Sequence, residues 1–180
     1  MTGRMLKNRV TLVGYRACGK STVARLVADR LGWPEVDADR SLEKRQRTSI
    51  AKLVARSGLE VFREREAAEL VRLLAGDRAL VLATGGGVVL RPENRALLRE
   101  RGGFVVYLHA EAAVLQARLA HDPGNRPSLT GAPIADEVPR LLAEREPLYR
   151  EVAEAVVDAT RPVDAVTAAI VTLVSARDGG

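Results

Sequence analysis

GYRACGKS, residues 14–21, follows the apolar run VTLV (10–13) and opens KSTVARLVADRL (20–31), in which apolar residues recur at helical spacing. Strand, glycine-bounded loop and helix in that order are the setting in which G-x-x-x-x-G-K-[ST] binds phosphate. Gly14 and Gly19 permit a tight loop whose N–H groups turn inward, and the helix start adds partial positive charge. Lys20 is placed to reach β- and γ-phosphates, and the Ser21 hydroxyl to reach a Mg²⁺ ion bridging them. Cys18 lies inside the loop, where the helix start and Lys20 would favour a thiolate; nothing in phosphate binding requires a thiol, so it reads as a small filler.

Outward from the loop, short apolar runs alternate with longer helical patterns. Strands are expected at 10–13, 34–37, 79–84, 104–108 and 155–157, and helices near 20–31, 40–57, 60–75, 93–101, 111–121, 136–153 and 163–176. That alternation predicts an α/β fold of three layers, a five-stranded parallel sheet with helices on both faces. VTLV, ALVLAT and FVVYL are almost continuously apolar, as strands buried on both faces are. Gly32, Gly58, Gly76 and Gly102 follow helical patterns where a left-handed terminal residue is wanted. HDPGNRPSLTGAP (121–133) is rich in turn formers and reads as a mobile loop.

The 180 residues suit one domain without linker or repeat. With 47% apolar and 28% charged residues the chain has the composition of a folded globular protein. The net charge of +5 suggests anionic partners, either nucleic acid or small molecules. Arginines interspersed with acids and only 3% aromatics offer no stacking platform, which argues against nucleic acid. One cysteine, no uninterrupted apolar leader and no apolar stretch near the roughly 20 residues of a membrane span predict a soluble, cytoplasmic chain with no membrane partner. His109 and His121 lack metal-ligand spacing.

In an open α/β sheet, residues at the carboxyl ends of strands face the ligand crevice. EVDAD (35–39) places Asp37 and Asp39 there, two residues apart, one able to hold a magnesium-bound water and the other a substrate hydroxyl. ALVLAT ends in Gly85, Gly86 and Gly87, where backbone can approach a ligand closely. Tyr15 and Arg16 fill loop positions where small residues are frequent, and Arg16 is expected to face solvent.

In order along the chain, GYRACGKST, DADRSLEKR, SIAKLVARSGLEVFREREAAEL, the GGG strand end, NRPSL and EREPLYREVA resemble shikimate kinase, a small P-loop kinase family related to nucleoside monophosphate kinases. The likeness runs from about Val10 to Pro162. It implies a single P-loop kinase domain, with a lid at about 121–135 and a substrate-binding helical segment at about 40–75. It implies transfer of the ATP γ-phosphoryl group to the 3-hydroxyl of shikimate, with Mg²⁺ as cofactor, by a monomer. By resemblance ATP is bound by Gly14, Ala17, Cys18, Gly19, Lys20, Ser21, Thr22, Arg118, Arg126 and Arg161, with Arg118 stacking on adenine and Arg126 on the lid. Shikimate is bound by Asp39, Phe62, Arg63, Glu66, Gly85, Gly86, Gly87 and Arg145. Lys20, Asp39 and Arg126 are the catalytic residues, and Ser21 and Asp37 serve the metal. Two arginines give a carboxylate planar, bidentate recognition that lysine would not. The alternative within the same chemistry is a gluconate or nucleoside monophosphate kinase.

Overall fold

The computed structural model describes residues 8–121, 133 and 136–178. Five strands, β1 (Arg9–Val13), β2 (Glu35–Asp37), β3 (Leu80–Ala83), β4 (Phe104–His109) and β5 (Ala155–Asp158), form one sheet in the order β2-β3-β1-β4-β5. Every neighbouring pair is parallel, with Leu12 facing Ala83 on one side and Val106 on the other. The five expected strands are all present, within two residues of their expected ends.

Among the described residues, seven α-helices connect and follow the strands: α1 (Lys20–Leu31), α2 (Ala38–Gln46), α3 (Ile50–Leu73), α4 (Pro92–Arg101), α5 (Ala112–His121), α6 (Val138–Val152) and α7 (Val163–Asp178). The chain crosses from β1 outward to β2, then back through β3 and on to β4 and β5. Parallel crossovers are right-handed, so this reversal puts α1 on one face and α3 to α6 on the other. Accordingly α1 packs against α7, and α6 against α4 and α5. The reversal also opens a crevice beyond the carboxyl end of β1, where a doubly wound sheet binds its ligand.

β1 is buried along its whole length. Val10, Leu12 and Val13 are 0% exposed, each worth about 1.5–3 kcal/mol of apolar burial. Arg9, equally buried, donates to the carbonyls of Arg101 (2.6 Å), Gly76 (3.0 Å) and Leu74 (3.2 Å). Those carbonyls lie where α3 and α4 end, and a helix end leaves its last carbonyls unpaired. One guanidinium thus ties the foot of β1 to two helices.

Two local expectations are corrected. The helix expected at 40–57 breaks at Arg47–Ser49, where Arg47 is left-handed (φ 50°) and the Ser49 hydroxyl accepts from Lys52 N; the interruption expected at Gly58 is present as a kink at positive φ (85°) within α3. Gly102 is not left-handed (φ −67°), and Gly103 takes that conformation one residue later (φ 71°). Gly102 is required for space, because a Cβ there would overlap the carbonyl of Leu98.

Candidate active site

The loop after β1 is shaped by positive φ at Gly14 (149°), Ala17 (64°) and Gly19 (98°). Gly19 is the N-cap of α1 and supplies no side-chain hydrogen bond, so the first N–H groups of the helix remain open to a ligand. Lys20 is buried, its Nζ donating to the carbonyls of Gly14 and Tyr15 (both 2.8 Å) and to Cys18 Sγ (3.6 Å). Cys18 is itself buried, as a small filler would be. The cradle therefore holds its own cation over the space where phosphates would enter.

Asp37 ends β2 and caps α2: its Oδ1 accepts from Arg40 N (3.1 Å) and its Oδ2 from Ser21 Oγ (2.5 Å). Asp39, in the first turn of α2, aims Oδ1 at Gly85. Behind it α2 is anchored to α3, since Ser41 Oγ donates to buried Glu69 (2.6 Å), which also receives Arg72 and Arg45.

The other wall comes from α3. Arg63 Nη1 donates to Glu66 Oε2 at 2.6 Å, and its Cζ lies 4.9 Å from the Phe62 ring centroid. Gly87 is where the glycine run matters most: any Cβ would overlap the Arg63 guanidinium. At Gly85 a Cβ would overlap Glu66 Oε1 and sit 2.9 Å from Asp39 Oδ1. Side-chain-free backbone is thus the floor on which an arginine and two carboxylates converge.

α6 supplies Arg145 and, one turn later, Tyr149. Arg145 is 5% exposed; it makes a long hydrogen bond, 3.4 Å to Gly86 O, and no ion pair among the described residues. A buried guanidinium without a carboxylate is costly unless something else neutralises it. Tyr149, fully buried and stacked on Tyr107, donates its hydroxyl to Gly86 O. Burial pushes the Tyr149 phenol up, which keeps it a donor.

The glycine run and the side chains of Lys20, Ser21, Asp37, Asp39, Arg63 and Arg145 line one cleft of about 1160 Å³, with Lys20, Ser21 and Asp37 at one part and Asp39, Arg63 and Arg145 at another. Arg118 does not project freely. It donates to Ala17 O (3.2 Å) and Ala159 O (2.9 Å), bracing the loop against the end of β5. With Arg161, Cys18, Gly19 and Thr22 it also lines a smaller adjoining cavity of about 280 Å³. Arg16, expected at the solvent, is half-buried and lines the main cleft. The expected lid and its Arg126 lie outside the described residues. Sequence reading missed Tyr149, whose signal was its spacing four residues after Arg145 on one helical face. It also missed Ser41 and Glu69, which carry no motif.

A cleft that can seat polyphosphate at one part and an organic acid at another belongs to a kinase of small molecules, and the β1–loop–α1 unit puts it in the P-loop class. The family model for shikimate kinase matches residues 16–175. The chain belongs to the shikimate kinase family. The shikimate kinase of Oleidesulfovibrio alaskensis is 51% identical over 170 residues, spanning 93% of this chain and 98% of the relative. Shikimate kinase 2 of Yersinia enterocolitica is 45% identical over 159 residues, 87% of this chain and 90% of the relative. Among solved structures, shikimate kinase from Acinetobacter baumannii in complex with shikimate superposes with a TM-score of 0.88 at 34% identity, covering 94% of each chain.

Proposed function

We propose that this chain catalyses ATP-dependent phosphorylation of the 3-hydroxyl of shikimate, giving shikimate 3-phosphate and ADP in the route to chorismate. The observation that carries the reading beyond family membership is Arg145, a buried cation that no described carboxylate neutralises, beside an Arg63 already oriented by Glu66. Two such guanidinia suit a monocarboxylate acceptor. Asp39, across Gly85, is positioned for that acceptor's hydroxyls.

Phosphoryl transfer asks for positioning and charge neutralisation more than for a strong base. Lys20 leaves the loop carbonyls for the β- and γ-phosphates, and the open N–H groups of α1 hold their oxygens. Asp39 accepts the hydrogen bond of the attacking hydroxyl and takes its proton late in transfer. Arg126, by family resemblance, adds positive charge from the lid, whose closure would exclude water. The hydroxyl of Ser21 and the carboxylate of Asp37, hard oxygen donors 2.5 Å apart beside the phosphate cradle, fit Mg²⁺, which keeps most of its shell as water and phosphate oxygen. Bound there, Mg²⁺ would neutralise charge on the β- and γ-phosphates. Arg118 and Arg161 would border adenine. A single domain acting as a cytoplasmic monomer completes the reading, with ATP and shikimate as its partners. No described helix is long and apolar enough to cross a membrane.

Coupled ADP release with shikimate, gluconate and CMP as acceptors tests it. Turnover confined to shikimate is expected; equal or greater turnover with gluconate or CMP overturns the substrate.

A further inference from the structure

Tyr15 belongs to the phosphate loop, yet its buried side chain packs against Arg145, which lines the acceptor part of the cleft. Its ring is 1% exposed, and the Arg145 guanidinium carbon lies 5.5 Å from the ring centroid. The motif that builds the loop asks for glycines, lysine and a hydroxyl, and nothing in it calls for an aromatic residue at this position.

The two acceptor arginines are held in opposite ways. Arg63 is gripped by a carboxylate, Glu66, at 2.6 Å. Arg145 has no such partner among the described residues; its buried Nε has no hydrogen-bond partner there, and Nη1 makes only a 3.4 Å approach to Gly86 O. A carboxylate holding Arg145 would compete with the acceptor's carboxylate for the same N–H groups. An aromatic face attracts the cation through its π-system and leaves those N–H groups free.

The ring, rather than the hydroxyl, is the working part of Tyr15, because the buried hydroxyl has no hydrogen-bond partner among the described residues. The backbone of the same residue serves the phosphate side, its carbonyl accepting from Lys20. Side-chain replacement leaves that bond in place.

We propose that Tyr15 is a positioning residue for Arg145, its ring face seating the guanidinium so that its donors meet the acceptor carboxylate. The proposal rests on the reading of Arg145 as a carboxylate ligand. Steady-state kinetics with shikimate and ATP varied in turn tests it. Tyr15→Leu and Tyr15→Met, which lack a π face, should raise KM for shikimate about tenfold while KM for ATP stays within about twofold. Tyr15→Phe, which keeps the ring, should restore the wild-type value. In an Arg145→Ala background the Leu replacement should add less than about a twofold further rise, since residues acting through one another are not additive.

An unchanged KM for shikimate in melt-checked Leu and Met variants would overturn the proposal. So would an equal rise in Tyr15→Phe, or penalties that multiply in the double variant. Loss of a cooperative melt in both variants would assign Tyr15 a purely structural role and end the proposal as well. Absence of shikimate turnover in the wild-type control would instead remove the substrate assignment, so the two failures are told apart.

Discussion

Glu66 grips Arg63 at 2.6 Å with one carboxylate oxygen and turns the other, buried and without a hydrogen-bond partner, toward the glycine floor of the cleft. Removing Arg63 strands a buried anion, whereas removing Arg145 takes away a cation that no described carboxylate accompanies. Both Arg63→Ala and Arg145→Ala should raise KM for shikimate at least tenfold. Their melts should differ: Arg63→Ala loses about 3 kcal/mol, roughly 5–10 °C, while Arg145→Ala loses clearly less. Calorimetry beside initial-rate kinetics checks the split, and the reverse order of melting would contradict this picture.

Lys20 is held by two loop carbonyls and is poised to exchange them for phosphate oxygens. Lys20→Ala should cut kcat by about 10³-fold or more, since phosphoryl transfer depends on that charge. Rapid-quench or coupled assays on the purified variant give the number. Full activity would sink the assignment of the loop.

Ser21 and Asp37 share one short hydrogen bond although they lie on different elements. Asp37→Asn should raise the Mg²⁺ concentration for half-maximal rate about tenfold, with saturating Mg²⁺ recovering part of kcat. A Mg²⁺ titration indistinguishable from wild type would remove Asp37 from the metal's surroundings.

Glu69 sits at the joint between α2 and α3. Burial alone would raise its carboxyl, but hydrogen bonds from Arg72 and Ser41, with the charges of Arg72 and Arg45, hold it below the ordinary 4.5. A carboxyl depressed by folding stabilises the protein above its unfolded value, and that contribution disappears as pH falls through the folded value. The melting temperature of the wild type should therefore drop below about pH 4.5, and Glu69→Gln should flatten that part of the curve while lowering stability at neutral pH. Melts from pH 3 to 7 decide it; identical slopes would exclude Glu69 as a source of acid lability.

The sheet was legible because buried parallel strands are written as short apolar runs, and the cradle because its glycines, lysine and serine fall within one eight-residue stretch. The Arg63–Glu66 pair was legible too, being three residues apart on one helix. Contacts between distant segments were not: Tyr15 and Arg145 are brought together by the reversal of strand order, which leaves no trace in spacing. Arg118 has its donors on the carbonyls of Ala17 and Ala159, a bracing that the sequence had no way to express. The break at Arg47–Ser49 escaped notice because Gly58 was the stronger turn former nearby, and the serine cap decided the boundary.

A guanidinium such as that of Arg145, with no ion pair among the described residues, would on the proposed reading receive any small acid, so it would recognise a chemical class without by itself choosing a member. Choice falls to the opposite wall. There Asp39 and Glu66, the latter already paired with Arg63, converge over Gly85, so on the proposed reading an acid carrying a second carboxylate would meet oxygen acceptors that it cannot satisfy where shikimate would bring hydroxyls. Fidelity among crowded carboxylates would then come as much from that wall of acceptors as from the arginines that attract.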